Sequence, residues 1–205
     1  MNIFDAHLRV HTKGFEDLQT LAPFGVRAVV SCAHDALPFS AASSVLNHFR
    51  RLLEWEPRRL TANGIQPYIA LGLRPRAIPA SGTEEVLALL PDLLAQEGVV
   101  VVGEIGLDRG TREEVKVFRR QLAIGRELGM LCVVHTPGRG RAGATEKALA
   151  IVAEVDIEPE LVVIDHVNEE TIAFVRASGV WTGLSLQPPK LSPERAAKLI
   201  RDLLG

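Results

Sequence analysis

The chain has 205 residues, 47% of them apolar, and a formal net charge of −2. That is ample material for one sizeable core and short for two independent ones, so a single domain over residues 1–205 is expected. The near-neutral balance excludes a protein whose main work is coating nucleic acid, because counterion release needs a dense basic face.

Seven short apolar, β-branched runs predict strands: 3–10, 27–32, 68–73, 99–105, 131–135, 161–166 and 180–186. The segments between them carry apolar residues at helical spacing. Val86, Leu87, Leu90, Leu93 and Leu94 form one such set, and Val117, Phe118, Gln121, Leu122, Ile124 and Leu128 another. A last helix is expected over 193–204. Strand and helix alternating throughout imply parallel strands joined by right-handed crossovers. Continuously apolar runs such as VVVVGEI and LVVIDH suit strands covered on both faces. Cys32 and Cys132 lie inside such runs and read as unpaired, buried thiols. The opening MNIFDAHLRV carries Asp5, His7 and Arg9, which does not fit a secretory leader. Because no apolar run is long enough to span a bilayer either, a cytoplasmic location without membrane contact is expected.

An open doubly wound sheet and a closed barrel both fit this alternation. A glycine-rich phosphate turn after the first strand would favour the open sheet, and the connection there, HTKGFEDL, has none. Polar residues stand instead at the ends of at least four strands, which is the habit of a (β/α)₈ barrel. The fold class expected is therefore α/β, a TIM-type barrel lacking its eighth strand. Strands one and seven would then each show an unpaired edge, and a homodimer pairing those edges is expected.

His7 ends the first strand, Glu104 the fourth, His135 the fifth and His166 the sixth, with Arg9 two residues after His7. Imidazole and carboxylate are ligand types of Zn²⁺, Mn²⁺ and Fe²⁺ sites, and a set of three or four with one open position is the pattern of a catalytic centre. Glu104 is the most telling, because an ionised carboxylate inside VVVVGEIGLD is costly to desolvate unless a cation or donor offsets it. Asp165 is expected to point away from His166 as a supporting or capping group, and Asp108 to position the loop after the fourth strand. His34 reads as a loop histidine and His48 as a solvated helix residue. Arg50, Arg51, Arg58 and Arg59 read as an exposed helix face. In the loop Gly138-Arg139-Gly140-Arg141, Arg139 and Arg141 are candidate substrate contacts.

The segments FDAHLRVH, ALGLRP, VVGEIGLD with FRRQLAIGRELGMLCVVHTP, and VVIDHVNEETI together resemble the TatD-related metal-dependent hydrolases of the amidohydrolase superfamily. The resemblance runs over essentially the whole chain. It implies a (β/α)₈ barrel, one or two divalent metals (Zn, Mn, Mg or Fe) and hydrolysis of a phosphoester or an amide-type bond, DNase activity being known for the best-studied members. Transferred position by position, Glu104 matches the carboxylate that bridges two metals, and His135 and His166 match the pair completing one site. The other site uses an H-x-H pair, which here reads His7-Leu8-Arg9, and an aspartate after strand eight, which lies beyond the end of this chain. One metal, or two only weakly, is therefore expected, held by Glu104, His135 and His166 with help from His7. Arg9 offers no lone pair to a second cation and is expected to serve as a fixed positive charge for a substrate phosphate or carboxylate. His11, about 6.6 Å further along an extended strand, is a poor substitute. The general base, which the resemblance assigns to the strand-eight aspartate, is not identified within residues 1–205. The rival expectation is a degenerate barrel that binds or scaffolds without catalysis.

Overall fold

The computed structural model describes residues 1–34, 38–186 and 191–204. It shows an α/β chain of seven parallel strands with helices between them, of the TIM-barrel type. Two compact units can be distinguished, residues 1–104 and 105–205, and the division falls within the fourth strand.

In the first unit, β1 (Ile3–Leu8), β2 (Val26–Cys32), β3 (Gln66–Leu71) and β4 (Val99–Gly106) lie side by side in chain order. The helices α1 (Phe15–Leu21), α2 (Ala42–Glu54), α3 (Glu56–Thr61) and α4 (Thr83–Leu94) connect them. Val10, Leu18, Val26, Val29, Leu60 and Ile65 form one fully packed cluster. Each such side chain contributes about 1.5–3 kcal/mol on leaving water. Of the helical set predicted on α4, Val86, Leu87, Leu90 and Leu94 are buried. The fourth strand is buried along its length except at Val100, which matches its unbroken apolar run.

In the second unit, β5 (Leu131–His135), β6 (Val162–Ile164) and β7 (Trp181–Thr182) are again parallel and in chain order. They are joined by α6 (Arg141–Val155) and α7 (Ile172–Ala177). The long helix α5 (Arg112–Leu128) precedes β5, and α8 (Pro193–Leu204) follows β7. On α5 the predicted stripe is buried apart from Leu128, which sits exposed at the last turn. Three strands are shorter than expected, the first of them ending at Leu8 and not at Val10. The sixth stops at Ile164, because Asp165 turns its carboxylate onto the backbone N–H of His166 (2.7 Å) and His166 takes a left-handed φ of 62°. The seventh stops at Thr182, and Gly183 then packs against Asp165 so closely that a Cβ would meet Asp165 Oδ1 at 2.7 Å.

Among the described residues, no helix is long and apolar enough to cross a membrane. Both cysteines are buried, and burial pushes the Cys132 thiol up to about 12.

Candidate metal centre

In the first unit, the end of β4 delivers Glu104 with no solvent exposure. The end of β1 brings His7 and Arg9 to it. His7 Nε2 lies 2.7 Å from Glu104 Oε1, and one Arg9 nitrogen, Nη2, donates to both carboxylate oxygens at 2.9 and 3.2 Å. Arg74, in the turn after β3, puts its Nε 4.0 Å from Glu104 Oε2 and is itself buried. This buried carboxylate is therefore offset by two guanidinium groups and an imidazole, as its desolvation demands. Arg74 escaped the sequence reading although it stands in ALGLRP, a segment with the family pattern. An arginine just past a buried strand was its only signal.

The same two arginines act on His34. Burial first, then the charges of Arg74 and Arg9, hold its imidazole down to about 3. His11 is held down to about 4 by burial and by the neighbouring His48. The rings of His11 and His48 meet edge to face at 4.9 Å, and Phe39 lies 5.5 Å from His48. His48 is thus half-buried against other rings, not solvated as its helical setting suggested. The arginine cluster also differs from a purely exposed face. Arg59 and Arg51 both pair with the fully buried Glu56, at 2.7 and 3.4 Å, while Arg58 covers the Trp55 ring.

In the second unit, His135 and His166 stand at the ends of β5 and β6, both buried, with their rings perpendicular and 5.2 Å apart. Asp108 binds His135 Nε2 at 2.9 Å, while His135 Nδ1 is buried and has no hydrogen-bond partner among the described residues. Asp108 is held there by a local device. Thr111 caps α5 by accepting from the Glu114 N–H, and a single Glu114 oxygen, Oε2, accepts from the N–H groups of Asp108, Arg109 and Gly110 at 2.7–3.0 Å. Gly106, with φ 137°, lets this loop leave β4 directly over the His135 backbone, where a Cβ would lie 2.5 Å from the carbonyl oxygen. His166 Nδ1 lies 2.6 Å from Ser185 Oγ and 3.3 Å from Asp165 Oδ2, and Ser185 Oγ lies 3.0 Å from Asp165 Oδ1. Ser185, three residues past the end of a short strand, had no signal in the sequence.

Of the predicted substrate contacts, Arg9 is engaged with Glu104 and Arg139 is exposed. Arg141 is buried at the start of α6, with its Nε donating to the Pro137 carbonyl at 3.0 Å.

In this buried imidazole pair one ring is bound by a carboxylate and the other by a hydroxyl that itself bonds a carboxylate, and metalloenzymes orient histidine ligands through partners of this kind. The strand-helix alternation with histidines and an acid at strand ends marks the metal-dependent hydrolase barrels. The chain belongs to the TatD-related family: the model described as TatD related DNase matches residues 4–201. The chain is 35% identical over 201 residues to an uncharacterized metal-dependent hydrolase of Methanocaldococcus jannaschii, covering 98% of this chain and 79% of that protein. A TatD-like protein from Archaeoglobus fulgidus superposes with a TM-score of 0.87 at 35% identity, over 98% of this chain and 81% of the other. The phosphotriesterase homology protein from Escherichia coli, solved with phosphate in its active site, shares the fold at a TM-score of 0.69 and 16% identity, over 99% of this chain and 77% of the other.

Proposed function

We propose that this chain is a hydrolase that works with one divalent ion, whose ligands are Glu104, His135 and His166 with His7 in support, and that its substrate carries a phosphoester or an amide-type bond. The donor set fits such an ion. His135 keeps a buried ring nitrogen without a hydrogen-bond partner among the described residues, and a carboxylate fixes the opposite nitrogen. That pairing, in a chain of the TatD-related family, is the observation that carries the proposal. When bound, the ion supplies Lewis-acid activation of water at neutral pH.

The chain's own residues do the rest. Asp108 holds the His135 ring in one orientation through Nε2. Arg9, with its side chain about one quarter exposed (24%), presents a permanent positive charge beside Glu104 for an anionic group of the substrate. Arg139, exposed in the loop between β5 and α6, is a second contact of this kind. Arg141 has its Nε already bonded within the loop and contributes mainly by shaping it.

A second reading, a degenerate barrel that binds without catalysis, is favoured by one observation: the two guanidinium groups already balance the Glu104 charge. Hydrolysis of a generic phosphodiester such as bis-p-nitrophenyl phosphate, with Mn²⁺ or Zn²⁺ supplied, separates the two. The proposal expects turnover that a chelator removes and that His135→Ala reduces by at least about a hundredfold, as loss of an essential group does. Turnover indifferent to both would sink it, and none with any metal or with a lactone or amide probe would favour the binding role.

A further inference from the structure

We infer that Ser185 is a positioning residue: it fixes the tautomer of His166 through an ordered chain of hydrogen bonds running from His166 Nδ1–H to Ser185 Oγ and from Ser185 Oγ–H to Asp165 Oδ1. Where it concerns metal binding, this rests on the function proposed above; as a statement about His166 it stands alone.

The direction of the chain follows from counting protons. Ser185 Oγ has two close partners, His166 Nδ1 at 2.6 Å and Asp165 Oδ1 at 3.0 Å, and one proton to give. Asp165 Oδ1 is a carboxylate oxygen that already accepts the His166 backbone N–H at 2.7 Å, so it can only accept. The serine proton therefore goes to Asp165, and the serine oxygen must receive its second bond from His166. The opposite assignment, with Ser185 donating to a bare Nδ1, would set an oxygen lone pair against the carboxylate. It would also leave the Nδ1 lone pair facing Asp165 Oδ2 at 3.3 Å with no proton between them. Both contacts would be repulsive in a site where Asp165 and His166 are almost wholly buried.

The backbone holds Ser185 in place for this task. Gly183 N–H donates to the Ile164 carbonyl at 2.8 Å and Val167 N–H to the Gly183 carbonyl at 3.0 Å, so the segment after β7 is laid alongside the Asp165-His166 turn. Only glycine fits at 183, because a side chain there would strike Asp165. Thr136 Oγ1 donates to the Asp165 carbonyl at 2.7 Å and fixes the turn from the side of β5. The consequence is chemical. With its proton on Nδ1, His166 presents Nε2 as the ligand nitrogen, whereas His135, bound by Asp108 at Nε2, presents Nδ1. The two rings use opposite nitrogens, each set by a different partner.

The test uses the whole 205-residue chain, ¹⁵N-labelled and without metal. Long-range ¹H–¹⁵N correlation at about pH 8, above the ordinary histidine range, reports which ring nitrogen of His166 carries the proton. The expected result is a proton on Nδ1 in the wild type and in Ser185→Thr, which keeps the hydroxyl, and a mixed or inverted tautomer in Ser185→Ala. Zn²⁺ titration of the same three proteins should show affinity about 10–100-fold weaker for Ser185→Ala and near wild type for Ser185→Thr. A wild-type proton on Nε2, or a tautomer unchanged in Ser185→Ala, overturns the inference. The expected tautomers without Zn²⁺ binding by any of the three would support the hydrogen-bond chain and overturn only the metal reading.

Discussion

Replacing Arg9 by methionine removes the closest guanidinium from a carboxylate that has no contact with solvent. One Arg9 nitrogen serves both oxygens of Glu104 at 2.9 and 3.2 Å, and after its loss His7 at 2.7 Å and the more distant Arg74 at 4.0 Å stay beside the carboxylate. Breaking a buried pair costs about 3–5 kcal/mol when the stranded charge has no other partner. Because His7 and Arg74 stay, and because the arginine is partly solvated, a loss of about 2–3 kcal/mol is expected, the scale of hydrogen bonds to a charged group. For a chain of this size that is a fall of about 4–12 °C in melting temperature. Circular dichroism melts in chelator measure it. Arg9→Lys, which keeps the charge and loses the planar fork, should fall in between. In the double variant with Glu104→Gln the two losses should not add, since removing the carboxylate charge removes what Arg9 offsets. An Arg9→Met protein melting within about 1 °C of wild type would refute the reasoning, because no buried carboxylate of this kind tolerates losing its main partner so cheaply.

Acid stability should bear the mark of His11. Its pKa is about 4 in the folded chain against an ordinary 6.5, so the unfolded chain takes up the proton first and stability falls as pH drops from about 6.5 towards 4. His11→Gln lacks this loss, so its melting temperature should decline less steeply than wild type across that window; parallel declines in the two proteins would contradict the assignment. Gly106→Ala should cost more than about 2 kcal/mol in urea unfolding, since a Cβ at φ 137° would lie 2.5 Å from the His135 carbonyl, a backbone atom that cannot swing aside. A wild-type midpoint would show that the close approach is absent.

Much of the architecture was legible because burial on both faces writes itself into a strand as an unbroken apolar run, and β2, β4 and β5 stand close to where those runs lie. Strand ends were less so. The sixth and seventh strands stop early because Asp165 and Gly183 meet, and residues of that kind carry no periodic signal. Likewise the candidate ligands, and Asp165 as a supporting group, could be named from their types and places, whereas the other partners that orient the ligands could not. Arg74 and Ser185 look ordinary in the sequence, and the bond from Arg9 to Glu104 joins residues 95 positions apart. Thr111 caps the start of α5. What it achieves, three loop N–H groups gathered on one Glu114 oxygen so that Asp108 reaches His135, emerges only from the fold.

Metal analysis of the purified chain, reconstituted and then freed of loosely bound ions, bears most directly on the whole scheme. About one divalent equivalent per chain is expected in the wild type, falling to near none in Glu104→Gln and in His135→Ala. Two tightly held equivalents, or none in a folded wild-type protein, would contradict it.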